Sequence, residues 1–409
     1  MNRKLFLYVK AFSDFGTFMD MIVLNVVIYA ATGSPLWLAA TMAARTIGGV
    51  VSSLFSGVVA DRFDRRKIMI YTDILRAIVI LALIPYPSPT LIIIGSFFIG
   101  LTSTFFGVSF SAEIPRIFGE DKVLSTNAII ARLTSISLVA GFIGAGVITD
   151  FLGYKMTLMI DASTYLISAL VLVKMKWETS GPRTSSALTS GMKEKALSVI
   201  NDLKEVYKYI RLAPMLLMVN IVFLIGAFAG SSHNLGIPLL AESIDADRQG
   251  FYYGMIWGSW GIGSVLATMI LPKLRWLLDQ KLYWVCFGSA ILMSTGFIIF
   301  LSTTMVWIIF PFAFFTGIFD ACFTTLHATI LQKTENHIRG RIFGVGMLLK
   351  SLGFALGFII APILLELMTM PNMVWILHGT LILTTAIITF IALNYHSKKR
   401  LLQAIPEKI

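Results

Sequence analysis

Gly57 to Lys67 reads GVVADRFDRRK: Asp61, Arg62, Asp64, Arg65, Arg66 and Lys67 crowd a short segment between two apolar runs, each long enough to cross a lipid bilayer. Charge this dense stays out of hydrocarbon, where an Arg, Lys or Asp at the centre of a helix costs roughly 2.5 to 3.5 kcal/mol on insertion scales. Short loops rich in Lys and Arg remain on the cytoplasmic side. The segment is therefore an inner loop, and the rest of the chain can be oriented from it.

Spanning a bilayer takes about 20 apolar residues per helix. Working outward from the loop, twelve runs qualify, at about 5–31, 35–59, 68–86, 90–112, 124–149, 156–175, 213–240, 250–272, 282–302, 306–330, 342–367 and 374–395. Turn chemistry separates several of them: Thr32-Gly33-Ser34-Pro35, Pro85-Tyr86-Pro87-Ser88-Pro89 and Met370-Pro371-Asn372. The 409 residues are 56% hydrophobic and only 13% charged, against about 25% charged in a soluble domain. The expected class is an all-α membrane protein of twelve transmembrane helices in two pseudo-symmetric six-helix bundles.

The net charge of +11 belongs to this topology rather than to nucleic acid. With the amino terminus inside, only Lys155 and Arg248 fall in outer turns, and Arg45, Arg76, Arg132 and Lys350 lie within runs; the other Lys and Arg gather in inner loops and at inner run ends. Both termini are expected in the cytoplasm, in a multi-pass protein of the bacterial cell membrane. Arg3 and Lys4 precede a run too long for the apolar core of a signal peptide, so the run is expected to be retained as the first span.

Composition shifts sharply between the sixth and seventh runs. The expected organisation is an N-terminal six-helix bundle over 1–175, a cytoplasmic linker over 176–212, a C-terminal bundle over 213–396 and a cytoplasmic tail over 397–409. Within the linker, Ile200, Leu203, Tyr207 and Ile210 recur at helical spacing opposite Lys204, Glu205 and Lys208, a pattern that suits a helix on the membrane surface or a solvated linker helix. The halves are weak repeats. Asp14-Phe15-Gly16-Thr17-Phe18 aligns with Leu224-Ile225-Gly226-Ala227-Phe228, and Gly141-Phe142-Ile143 with Gly357-Phe358-Ile359. Such duplication fits a transporter built from two bundles around a central site.

Cys286 and Cys322 both fall in apolar runs, which reads as small buried residues without a disulfide framework. No phosphate-binding glycine loop and no metal-ligand spacing is present, so an enzyme, an ATP-driven pump, a metal and a cofactor are not expected, and energy must come from a gradient.

The GVVADRFDRRK loop resembles the signature of the major facilitator superfamily, Gly-x-x-x-Asp-Arg-x-Gly-Arg-Arg/Lys. Gly57, Asp61, Arg62, Arg65 and Arg66 match it, and Asp64 replaces the usual Gly. With Asp73 and Arg76 after it and Thr32-Gly33-Ser34-Pro35 before it, the chain is similar to the macrolide-efflux and enterobactin-exporter branch of drug:proton antiporters. The proline of the family's antiporter element in the fifth helix is absent, while Gly141, Gly144 and Gly146 remain. The resemblance implies that this loop latches the inner ends of the two halves, a conformational latch of Gly57, Asp61, Arg62, Arg65, Arg66, Asp73 and Arg76. Its helix-end acid suits the role, because it can accept amide hydrogen bonds and pair with arginine.

Ionisable residues at membrane depth are costly unless paired or facing water, and mark candidate sites. By helix rise, Asp20 and Arg45 lie roughly 16 and 15 Å from the outer boundary, and Asp14 and Arg132 about 14 and 12 Å from the inner one. Asp320 and Lys350 lie about 21 and 26 Å from the outer boundary. Each couple is a candidate pair, serving either as a structural clamp or in transport. The family fold places helices 1, 4, 7 and 10 around a cavity, which adds His233, Asn234 and His327. Aromatics such as Phe15, Phe18, Phe106, Trp257, Trp260 and Phe323 are candidate partners of an amphipathic ligand.

The expected function is a secondary active exporter of a small amphipathic molecule, such as an antibiotic or siderophore, by proton-coupled alternating access. A lipid or lysolipid flippase and a non-transporting membrane sensor or scaffold are the alternatives. Expected partners are the substrate, protons and membrane lipids, with no nucleic acid, and a monomer as the working unit.

Overall fold

The computed structural model describes residues 3–119, 123–175, 213–334 and 336–403. The linker 176–212, with its expected surface helix, and the end of the tail lie outside the described residues. The helices are α1 (Arg3–Thr32), α2 (Pro35–Arg62), α3 (Arg65–Leu83), α4 (Pro89–Phe118), a long helix Val123–Lys174, α7 (Pro214–Ile244), α8 (Gln249–Ile270), α9 (Arg275–Leu301), α10 (Val306–Gln332), α11 (Asn336–Leu367) and α12 (Met370–Gln403). Held straight, the 52 residues of Val123–Lys174 would run about 78 Å, far beyond a hydrocarbon core of about 30 Å. Gly153 breaks it with φ 79 and ψ 162, a conformation open essentially to glycine alone. The arms, α5 (123–152) and α6 (154–174), are two crossings.

Prolines open α2, α4 and α7 in the first turn, where the missing N–H is not needed. Asp64 has extended backbone, and its carboxylate accepts from the Arg66 and Lys67 amides. The departure from the family's glycine thus supplies the N-cap of α3. Eight of the described helices, the α5–α6 helix counted as one, are long and apolar enough to cross a membrane by length and composition. The other three, α2, α3 and α8, fall below that measure. Arg45 of α2 and Asp73 and Arg76 of α3 turn inward to partners, and Gly250, Gly254, Gly258 and Gly261 of α8 turn onto α5.

Packing repeats between the halves. In the first, α1 packs on α5, α2 on α4, and α3 on α4 and α6; in the second, α7 packs on α11, α8 on α10, and α9 on α10 and α12. The halves meet chiefly through α5 on α8 and α2 on α11. Exchanging the halves turns one of these contacts into the other, as an approximate twofold requires.

Close backbone crossings follow the same relation. A Cβ at Gly100 would stand 2.0 Å from the Arg45 carbonyl oxygen, and one at Gly317 1.9 Å from that of Trp260. Glycine is required where helices touch through backbone. The aligned segments also superpose in role: Gly141 lies against Phe15 and Phe18, and Gly357 against Phe228 and Ser231. Gly100→Ala is expected to force α2 from α4 and to cost about 1–3 kcal/mol or more, read as a lowered unfolding temperature of the purified protein in detergent. Unchanged stability would contradict so close a crossing.

Candidate functional site

A buried polar network fills the first half. Asp20 of α1 is fully buried and ion-paired with Arg45 of α2. It also accepts a hydrogen bond from the Tyr165 hydroxyl of α6 at 3.0 Å, while Arg45 donates to the Thr17 carbonyl at 3.3 Å. Thr17 Oγ1 lies 3.1 Å from the Tyr165 hydroxyl and accepts from Arg76 of α3 at 3.4 Å. Arg76 pairs with Asp73, which also accepts from Ser13 and Ser168. The Arg76 guanidinium lies over Tyr165, 4.4 Å from the ring centre, and over Phe106 at 5.1 Å. Buried charges persist only when paired and hydrogen-bonded in this way.

Asp20 and Arg45 form part of the wall of a cavity of about 170 Å³ between the halves. Asn25, Met42, Thr46 and Phe142 are among the residues beside them on that side, and Asn234, Tyr253, Trp257, Phe354 and Phe358 face them from the second half. A neighbouring cavity of about 310 Å³ lies within the second half, bounded by Asp320, Lys350, Trp260, His233 and Phe323. Phe354 borders both. An apolar, aromatic lining with a few charged groups fixes an amphipathic ligand by stacking and by its polar end.

The cavities are closed at the end of the bundle that carries the α1–α2 and α7–α8 turns. Asn25 donates to the Tyr253 hydroxyl at 3.0 Å, and Arg248 pairs with Asp150 at 3.0 Å. Between these contacts α5 and α8 touch through glycine: a Cβ at Gly254 would stand 2.5 Å from the Phe142 carbonyl oxygen and 2.8 Å from Gly146 Cα.

At the opposite end, Arg65 is buried, donates to the Ala60 and Ala112 carbonyls at 2.8 and 3.1 Å and pairs with Glu113 at 3.3 Å. Arg66 donates to the Leu172 and Val173 carbonyls at the end of α6, where a cation complements the helix terminus. These contacts tie α3 to its own half. The structure describes the backbone of α2 through Arg62 but not the side chains of Asp61 and Arg62, on which the expected latch between the halves depends.

Three features differ from the sequence reading. Asp14 pairs with Lys10 on its own helix and accepts from Thr134 at 3.0 Å, while Arg132 is exposed and, among the described residues, has no ion pair. Asp73 and Arg76, grouped above with the loop, are in the buried network instead, since α3 carries them from the loop into the interior. Asp320 and Lys350 share a cavity without an ion pair. His233 stacks on Phe297 with ring centres 3.8 Å apart and meets His378 at 3.3 Å; Asn234 donates to the Gly230 carbonyl at 2.7 Å. His327 stacks on Phe223 and meets Asn220 at 3.3 Å. Phe106 packs against Phe110, away from the cavities.

The sequence reading passed over Asp161, Tyr165, Ser168 and Glu113, all buried. Asp161, Thr164, Tyr165 and Ser168 are spaced i, i+3, i+4, i+7 in an otherwise apolar run. That polar stripe was legible as one inward helix face.

The family model described as Major Facilitator Superfamily matches residues 7–358. Among curated proteins, the chain is 25% identical to a "Na(+), Li(+), K(+)/H(+) antiporter" of Planococcus maritimus, over 81% of this chain and 80% of that one. It is 24% identical to the "Putative bacilysin exporter BacE" of Bacillus subtilis (strain 168), over 93% and 94%. The crystal structure of nucleoside transporter NupG shares the fold with a TM-score of 0.74 at 16% identity, covering 95% of this chain and 98% of that one. A POT family transporter in complex with 5-aminolevulinic acid gives a TM-score of 0.69 at 12% identity, covering 95% of each.

Proposed function

The chain belongs to the major facilitator superfamily, and from that membership we propose that it is a secondary active exporter, moving a small amphipathic molecule out of a bacterial cell against inward-flowing protons. The observation that carries this reading is the Asp20–Arg45 pair in the wall of a cavity that both halves line. Protonating Asp20 removes the charge that holds Arg45, and Arg45 becomes free for a ligand's polar end or for water. Each state of the acid then favours one arrangement of the cavity, the differential interaction that coupled transport needs. The names of two relatives, an exporter and an antiporter that exchanges protons, support both parts of the proposal.

Charge distribution supports a cytoplasmic location for the GVVADRFDRRK end and both termini. With that orientation, the closed Asn25–Tyr253 and Asp150–Arg248 end is the outer one. We propose further that the protein acts as a monomer among membrane lipids, without a cofactor.

The test uses inside-out vesicles from an exporter-deficient bacterium expressing the chain, with a panel of macrolides, siderophores and peptide antibiotics. At least one compound is expected to accumulate, and collapsing the pH gradient with a protonophore is expected to end its accumulation. Accumulation indifferent to the pH gradient would overturn the proton-coupled reading.

A further inference from the structure

Asp161 lies on α6 against Gly16 of α1 and is fully buried. A Cβ on Gly16 would come within 2.6 Å of Asp161 Oδ1 and 2.2 Å of Thr164 Oγ1, so the carboxylate occupies the space that a side chain at position 16 would take. Neither oxygen of Asp161 has a hydrogen-bond partner. The charged and titratable groups around it are Asp20 of α1, Arg45 of α2, Arg76 of α3 and Tyr165 on its own helix, with Asp73 beyond Arg76.

The charges in this enclosure do not balance in pairs. Asp20, Asp73 and Asp161 share two guanidiniums, and the pairs Arg45–Asp20 and Arg76–Asp73 use both. An ionised carboxylate left alone in a dry interior is far costlier than a neutral one, so a group in this position keeps a proton.

We propose that Asp161 is a proton-binding site, and that Asp161 and Asp20 exchange one proton while sharing one cation, Arg45. In the described conformation Asp161 holds the proton and Arg45 grips Asp20. In the exchange the O–H bond of Asp161 breaks, one forms on Asp20, and Arg45 turns to the new carboxylate, so the enclosed charge is unchanged. Asp20, which borders the cavity, can then release the proton to water there. The role of this step rests on the proton-coupled reading above; the acid itself is tested apart from transport.

Infrared spectroscopy of the purified full-length protein in lipid nanodiscs at neutral pH provides the test. The wild type is expected to show a carboxylic-acid carbonyl band that shifts in D2O, and Asp161→Asn to lose that component. Asparagine is close in shape to the protonated acid, so the variant is expected to unfold at nearly the wild-type temperature. Gly16→Ala, which pushes on the carboxylate, is expected to displace the band without removing it. An identical acid band in wild type and Asp161→Asn would overturn the proposal. So would its replacement by carboxylate bands on adding sodium chloride but not choline chloride, which would make the site one for an alkali cation. If the band behaves as expected while vesicle transport ignores the pH gradient, the proton site stands and the export coupling fails.

Discussion

Arg76→Met is expected to destabilise the protein by about 3–5 kcal/mol, the usual consequence of removing one partner of a buried ion pair. Arg76 is 2% exposed and is the ion-pair partner of Asp73, which is fully buried. Ser13 and Ser168 also hydrogen-bond Asp73, but hydroxyls bring no counter-charge. The same change removes the cation held against Tyr165 and Phe106 and the hydrogen bond to Thr17. Much of the loss comes from the stranded carboxylate, so the double variant Asp73→Asn, Arg76→Met is expected to recover a substantial part of it. Thermal unfolding of the three purified proteins in one detergent measures this directly. A single variant as stable as the wild type would show that the pair is not enclosed as described.

Asp20→Asn is expected to abolish gradient-driven transport while leaving the protein folded. The amide keeps an acceptor for the Tyr165 hydroxyl, and Arg45, which borders the cavity, keeps its hydrogen bond to the Thr17 carbonyl and has Asp161 nearby to take over as counter-ion. What disappears is the ability of position 20 to exist in two charge states. Without it, proton concentration has no means of biasing Arg45 at this point, and the two halves lose that differential interaction. Substrate binding, which draws mainly on the aromatic lining, is expected to remain. Full uphill transport by Asp20→Asn would remove Asp20 from the coupling mechanism.

The fold was legible because lipid leaves few options: long apolar runs, a charged loop and turn residues define the crossings, and the offset between repeats identifies equivalent helices. Phe18 with Gly141 and Phe228 with Gly357 occupy equivalent contacts, as the alignment of those segments implies. The site was legible only along one coordinate. Depth correctly brought Asp20 to Arg45, but it carries no information about which way a side chain faces around the helix. That missing angle separates Asp14 from Arg132, which is exposed, while Lys10 stands one turn from Asp14. The resemblance that grouped Asp73 and Arg76 with the charged loop likewise says nothing of the face they occupy, although their i, i+3 spacing allows them to pair on one buried face. Asp64 could be read only as a departure from a motif, because an N-cap is a matter of backbone geometry. For Asp161 the angular information was present in the polar stripe, and only its lack of a guanidinium required coordinates.

The central claim, that protonation of the buried network shifts two rigid halves between two arrangements, is tested most directly by a distance across the closed end. Leu152 and Ala246 are exposed and lie on opposite halves beside the Asp150–Arg248 pair, so spin labels at Leu152→Cys and Ala246→Cys, with Cys286 and Cys322 changed to Ser, report its opening. Pulsed electron–electron resonance in nanodiscs is predicted to give a short and a long population whose ratio changes with pH in this labelled background, and to lose that pH response when Asp20→Asn is added. A single distance distribution, the same at every pH in protein that still carries Asp20, would contradict the account.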